Sequence, residues 1–239
     1  IENFNAITNT YPIKSIRYHE DKNKYFIYAG NSHKLCDKLD RKCEYNKLEK
    51  EVKEKLNKQI KYIWTNQDIM TNDNLPLIGC IKKEEPNLLI GTGYNTWGMT
   101  NATIAGKILS DIILKNKNRY INLFNPNRPV SIDKIKNLVL NSYFNGKAYA
   151  LTKFKKNYKW YKEKVRFETR NGKNLGIYID NEGTEHIVRN LCPHMKCSLI
   201  FNEKDKTWDC PCHGSRFDID GNVIEGPSVY SIKVDNKSS

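Results

Sequence analysis

Two short clusters of cysteine and histidine lie toward the C-terminal end of the chain. They are Cys192-Pro193-His194 and, fifteen residues further on, Cys210-Pro211-Cys212-His213. Each offers one thiol and one imidazole at short spacing. With Cys197 between them, four of the seven cysteines fall within 21 residues. No secretory signal precedes them, so the crowding points to a metal or cluster site rather than a disulfide framework. Two thiolates and two neutral imidazoles suit an iron–sulfur cluster, whose potential rises when anionic ligands are replaced by neutral ones. They also suit zinc. Zinc sites of this composition usually place both cysteines first and both histidines later, which the alternation here does not follow. Cys36, Cys43 and Cys80 are scattered and read as ordinary free thiols. His19, His33 and His186 are too dispersed to form a mononuclear-iron set of two histidines and a carboxylate, and read as surface or hydrogen-bonded residues.

The elements that must hold these clusters are legible from Val165 onward. Val165–Arg170, Leu175–Ile179 and His186–Asn190 read as short strands separated by Asn171-Gly172 and Asn181-Glu182-Gly183, the rhythm of an antiparallel β domain. Upstream, Tyr11–Arg17 and Lys24–Ala29 alternate apolar and polar residues around Asp21-Lys22-Asn23, as a hairpin would. Leu48, Val52, Leu56 and Ile60 stand at four-residue spacing and predict a helix over 45–60. A strand is expected at 62–68, a loop at 72–76, a short strand at Leu88–Gly91 and a helix over 100–115. Asn125-Pro126-Asn127-Arg128-Pro129 breaks the pattern. Ser131 could cap a helix running to about Tyr143, with a basic segment, 147–164, leading onward. The expected organisation is therefore an α+β portion over 1–128, a helical basic linker over 129–164 and an all-β domain over 165–239.

The flanks of the two clusters decide between iron–sulfur and zinc. Cys192-Pro-His-Met-Lys-Cys197 and Trp208-Asp-Cys-Pro-Cys-His-Gly-Ser-Arg-Phe-Asp218 resemble the two cluster-binding loops of Rieske [2Fe–2S] domains. The resemblance implies that Cys192 and Cys210 hold a buried iron and that His194 and His213 hold an outer one. It also implies that Cys197 and Cys212 form the inter-loop disulfide of the cytochrome bc-type subgroup. Ser215 matches a serine that donates to a bridging sulfide. Phe217 stands where high-potential members carry a tyrosine bonded to a cysteine sulfur, so a moderated potential is expected. Gly226-Pro227 resembles the proline loop that covers the cluster. Pro193 and Lys196 depart from the more usual Thr and Gly.

In the first half, Gly91-Thr-Gly-Tyr-Asn-Thr-Trp-Gly-Met-Thr-Asn-Ala-Thr103 follows a strand and opens a helix. Small residues there allow close backbone approach, and a helix N-terminus favours negative charge. Together with Gln67-Asp68 and Leu75-Pro76-Leu77-Ile78-Gly79, this run resembles the C-terminal part of FAD-dependent oxidoreductases of the D-amino-acid oxidase/glycine oxidase type, a subgroup of which carries a C-terminal Rieske domain. The two resemblances together span about 11–128 and 165–235. They imply that Gly93, Gly98, Met99 and Thr100 lie on the flavin side, and that Ser15-Ile16-Arg17 and the strand from Ala29-Gly30 to His33 belong to a substrate-side sheet. A flavin would take two electrons from an amine-like substrate and the cluster would pass them on singly. The family's Gly-x-Gly-x-x-Gly dinucleotide fold is not in these residues, so this stretch is expected to hold the cluster alone, with FAD only in a longer protein. Electron transfer as the C-terminal portion of a soluble flavin-dependent oxidoreductase is the first reading. A stand-alone carrier whose N-terminal region only docks partners is the second. Without the flavin, Gly93 and Gly98 are turn residues.

Composition limits the alternatives. At 239 residues, 38% of them hydrophobic, the chain can build one large or two modest cores. The longest apolar stretch, 104–114, is broken by Lys107, Ser110 and Asp111, so no membrane span is expected. Ile1-Glu2-Asn3-Phe4 has neither an initiator Met nor a signal pattern and reads as the cut edge of a longer, cytoplasmic protein. The formal net charge of +13 sits partly in 129–170, without a recognition motif, and is read as solvated surface rather than a nucleic-acid site. The partners expected are a redox protein or the protein's own flavin domain.

Overall fold

A computed structural model describes residues 4–9, 13–35, 41–129, 132–154 and 164–234, with the side chains of 41–43, 132–134 and 151–154 outside the description. Tyr11, Cys36, Ser131, most of 155–164 and the Cys43 side chain fall outside it. Its contacts divide the chain into two compact units. One joins residues 1–65 to 144–239, and the other is 66–143. In this division the N-terminal 65 residues group with the C-terminal β domain.

In the first unit, β1 (Ala6–Ile7), β2 (Ser15–Glu20) and β3 (Lys24–Ala29) form an antiparallel sheet whose turn is the Asp21–Asn23 segment. The helix α1 (Arg41–Leu56) starts and stops four residues earlier than its apolar spacing suggests. Asn57, with φ +47°, takes the left-handed conformation that ends helices, which leaves Ile60 exposed beyond the last turn. No strand forms at 62–68, because no neighbouring edge pairs with it.

The second unit contains a hairpin of β4 (Leu77–Cys80) and β5 (Leu89–Thr92), the helix α2 (Gly98–Ile113) and the short α3 (Ile121–Phe124). Ile78, Ala105 and Ile108 are its fully buried apolar side chains, flanked by Tyr94, Leu109, Ile112, Ile121 and Phe124. Arg128 closes this unit. Its guanidinium pairs with Asp73 at 2.6 Å and donates to the carbonyls of Leu75 and Pro76.

The helix α4 (Ile132–Phe154) runs about three turns past the expected end at Tyr143 and takes up much of the supposed linker. Asn145-Gly146 looks like a break, but Ala148 beyond it is 1% exposed and belongs to the β-domain core, so tertiary packing overrides local propensity. That domain holds two antiparallel sheets. One is β6 (Val165–Arg170), β7 (Lys173–Ile179) and β8 (Glu185–Arg189). The other, ordered β12-β11-β10-β9, comprises β9 (Ile200–Asn202), β10 (Thr207–Asp209), β11 (Arg216–Phe217) and β12 (Val223–Glu225). Trp208 is fully buried among Phe167 and Phe201, with ring centroids at 6.0 and 4.8 Å. Gly176 on β7 makes room for it: a Cβ there would lie 2.6 Å from the indole.

Candidate metal centre

The sheets position three loops. The first, 191–199, leaves β8; the second, 210–215, joins β10 to β11; the third, 226–231, follows β12. Each of the first two is closed on itself. Cys192 N–H donates to the Cys197 carbonyl at 2.8 Å and Lys196 N–H to the Cys192 carbonyl at 2.9 Å. Cys210 N–H donates to the Ser215 carbonyl at 2.8 Å and Gly214 N–H to the Cys210 carbonyl at 3.0 Å, with Gly214 at φ +84°. Asn190, itself buried, accepts from Leu199 N–H at 2.8 Å and anchors the far end of the first loop. A disulfide between Cys197 and Cys212 joins the two loops.

The two loops bring together a pair of thiols and, separately, a pair of imidazoles. Cys192 and Cys210 are free thiols, each 1% exposed. Removing one proton from the pair is made easy and removing the second hard. The Cys192 thiol is pulled down, first by the hydrogen bond from Cys210, against the cost of burial, and then by the backbone N–H groups of His194 and Met195 and the Ser215 hydroxyl. Cys210 is pushed up by that same partner and by burial. His194 and His213 lie edge to face, ring centroids 5.0 Å apart. His194 is exposed and His213 half-buried. Burial, and then the neighbouring His194, hold the His213 imidazole below its usual range, which keeps it neutral. Its Nδ1 is buried with no hydrogen-bond partner.

An orphaned buried imidazole nitrogen on the same loop as one of two buried thiols whose sulfurs face N–H and O–H donors fits a metal cluster. Burying such a nitrogen unpaired costs about 1–3 kcal/mol, which a metal bond offsets. The sulfurs of Cys197, Cys210 and Cys212 also lie within 4.8 Å of one another, but the disulfide consumes two of the three as thiolate donors.

Ser215 and Phe217 are both fully buried. The Ser215 hydroxyl accepts from Ser228 N–H at 2.9 Å, which ties the third loop to the second. Gly226-Pro227 is a cis peptide at the start of that loop. Sequence reasoning missed Arg216. This buried guanidinium pairs with Asp205 at 2.7 Å and Asp209 at 3.3 Å, lies 3.5 Å from Glu225, and donates to the Thr65 carbonyl at 3.3 Å. Asp209 and Arg216 flank the second loop and face each other across β10 and β11, so their pair closes its base. Thr65 donates to Asp205 at 2.6 Å and Lys204 pairs with Glu49 of α1 at 2.7 Å, which is how the N-terminal residues join this unit. The alternation of acids at 205, 209 and 225 with one arginine was a signal, but strands of two or three residues have no periodicity to reveal it.

The expected flavin-side residues lie in the other unit, apart from this cluster of side chains in sequence and division. Gly93, at φ +70°, packs so closely that a Cβ would meet Thr71 at 2.4 Å. Gly98 opens α2 with nothing within 4 Å of a Cβ, and Met99 is 84% exposed beside an exposed Thr100.

Paired β-sheets presenting two disulfide-joined loops with two thiols and two imidazoles define an iron–sulfur electron-transfer domain. Comparison makes the class specific: residues 144–234 match the family described as Rieske [2Fe-2S] domain, and this part of the chain is a Rieske-type domain. Among relatives, YhfW of Bacillus subtilis (strain 168), named as a Rieske 2Fe-2S iron–sulfur protein, is 34% identical over 221 residues, covering 88% of this chain and 42% of the relative. Cytochrome b6-f complex iron–sulfur subunit 3 of Nostoc sp. (strain PCC 7120) is 42% identical over 43 residues, 18% of this chain and 24% of that one. Among solved structures, the plasma membrane Rieske protein PetC3 from Synechocystis PCC 6803 aligns with a TM-score of 0.29 at 22% identity, covering 30% of this chain and 73% of that one. The chain thus spans less than half the length of the Bacillus relative. No helix among the described residues is long and apolar enough to cross a membrane.

Proposed function

We propose that Cys192, His194, Cys210 and His213 ligate the [2Fe–2S] cluster, and that the chain is the C-terminal portion of a larger flavin-dependent oxidoreductase. The orphaned His213 Nδ1 between the joined loops carries the first part of this reading. A bound cluster supplies reversible one-electron transfer. The protein's own groups do the rest. Cys192 and Cys210 provide charge in a dry site where backbone N–H groups and Ser215 stabilise thiolates. His194, on the exposed side, forms the path by which an electron reaches a partner. Phe217 excludes water without offering a hydroxyl to a sulfur. The purified chain is expected to be red-brown, to hold iron and labile sulfide in equal amounts, and to show a low-average-g EPR signal when reduced. A colourless protein with stoichiometric zinc overturns the ligation.

The flavin reading is supported by Met99 and Thr100, exposed at the start of α2, and by the length of the Bacillus relative beyond the matched region. Titration of the longer protein with FAD tests it, and failure to take up flavin removes it. A stand-alone carrier whose N-terminal region serves as a platform is the second reading, favoured by the packing of 1–65 with the β domain in one unit.

A further inference from the structure

We propose that Lys196 selects the redox partner of the cluster, and that this partner is an electron-transfer protein presenting carboxylates around its own cofactor. The proposal rests on the ligation proposed above, because Lys196 stands two residues from His194 and next to the disulfide.

The three loops at the metal centre are almost without charge. Residues 191–199, 210–215 and 226–231 contain no Asp or Glu, and Lys196 is their sole Lys or Arg. Besides Lys196, His194 and Ser231, the exposed side chains include four large apolar or aromatic ones: Leu191, Met195, Val229 and Tyr230 are 37, 57, 80 and 72% exposed. Elsewhere on the same domain several cations are matched by nearby carboxylates, as in Arg166 with Glu168 and Glu185, and Arg216 with Asp205 and Asp209. Lys196 is exposed and has no carboxylate partner among the described residues.

The backbone makes the lysine more informative. Lys196 has φ +58°, the left-handed region in which glycine is the least strained residue and a side chain raises the energy of the fold. The hydrogen bonds that close the loop through Cys192 and Cys197 hold it there. A lysine at this position therefore works against stability, while placing an unneutralised positive charge on an apolar, acid-free surface beside the exposed histidine. Such a surface attracts an acidic partner by charge complementarity and repels a basic one, and apolar contact then closes the encounter.

Two redox proteins of opposite charge serve as probes: plastocyanin, an acidic copper protein, and the basic cytochrome c. In each reaction one electron leaves the reduced cluster, which returns from mixed-valence to all-ferric, and copper(II) becomes copper(I) or haem iron(III) becomes iron(II). No bond or proton is exchanged. Stopped-flow oxidation by plastocyanin should be fast at low salt and slow as salt rises. Lys196→Gln should cut the low-salt rate several-fold and flatten the salt slope, while leaving the cytochrome c rate unchanged or raised. Lys22→Gln, which removes one charge from the β2–β3 turn outside these loops, should leave both near wild type. Equal losses for the two variants overturn the proposal, since net charge would then be the cause. Binding of zinc-substituted plastocyanin, which cannot accept the electron, should weaken in Lys196→Gln and not in Lys22→Gln. Lys196→Gly should show a higher thermal midpoint than Lys196→Gln; an equal or lower midpoint removes the argument from backbone cost. A missing EPR signal in wild type overturns the ligation separately, and zinc-plastocyanin binding still decides the role of Lys196.

Discussion

The β domain and the 66–143 unit handle their candidate functional residues in opposite ways. In the β domain the two thiols, Ser215 and Phe217 are buried in a core centred on Trp208, and two loops closed by their own hydrogen bonds are joined by a disulfide. In the 66–143 unit the core is three fully buried residues, and the sequence-singled residues at the start of α2 face outward. The difference follows from what each can complete alone. A cluster needs dry thiolates and neutral imidazoles held at fixed spacing, which one folded domain can supply. Met99 and Thr100 at the start of α2 add nothing to the small core of the other unit and stay in solvent.

Perturbing one region at a time sharpens that contrast. Cys210→Ser should remove the cluster outright, measured as loss of iron and of the EPR signal, because a hydroxyl does not replace a buried thiolate; retained stoichiometric iron breaks the assignment. Trp208→Ala should destabilise the β domain by about 3–5 kcal/mol in denaturant unfolding. Phe217→Tyr should raise the reduction potential in an EPR-monitored titration, since a hydroxyl near a cysteine sulfur stabilises the reduced state; an unchanged potential would falsify the idea that the missing hydroxyl moderates it.

Next in size is a pH effect. His186 lies between Asp220 at 2.7 Å and Asp180 at 3.2 Å, and these hydrogen bonds, Asp220 first, raise its pKa against a smaller opposing effect of burial. A raised folded pKa means its contribution is fully present below the unfolded value, about 6.5, and is lost as pH rises through the folded one. The thermal midpoint of wild type should therefore fall relative to that of His186→Gln as pH rises above about 6.5. Parallel curves would show that the clasp contributes nothing. Smallest is Met99→Ala, expected to change stability by no more than about 0.5 kcal/mol because the side chain is exposed. On the flavin reading it weakens FAD binding in the longer protein all the same, which separates a ligand-facing residue from a packing one.

Much of the β domain was legible because its signals are local. Asn171-Gly172 and the alternation on either side are enough to indicate β6 and β7, and the two Cys/His clusters stand out by spacing alone. The strands β9 to β12 were not legible, since two or three residues cannot display a period and their pairing depends on partners far along the chain. The helix α4 passes through Asn145-Gly146 because Ala148 finds a core to enter. The segment 62–68, with the composition of a strand, stays unpaired for want of an edge.

The sequence by itself determined the residue types that can hold a metal, their order in two loops, and the chemistry they suit, because those properties belong to short stretches of chain. Tertiary structure alone decided that the Cys192 and Cys210 thiols are buried as hydrogen-bonded neighbours, that the His194 and His213 rings lie edge to face, that His213 Nδ1 is left buried without a partner, and that Arg216 gathers Asp205, Asp209 and Thr65. It also decided that the first 65 residues pack with the β domain. Burial and pairing between distant residues are properties of the folded chain, where loss of solvent sets the cost of every unpaired group.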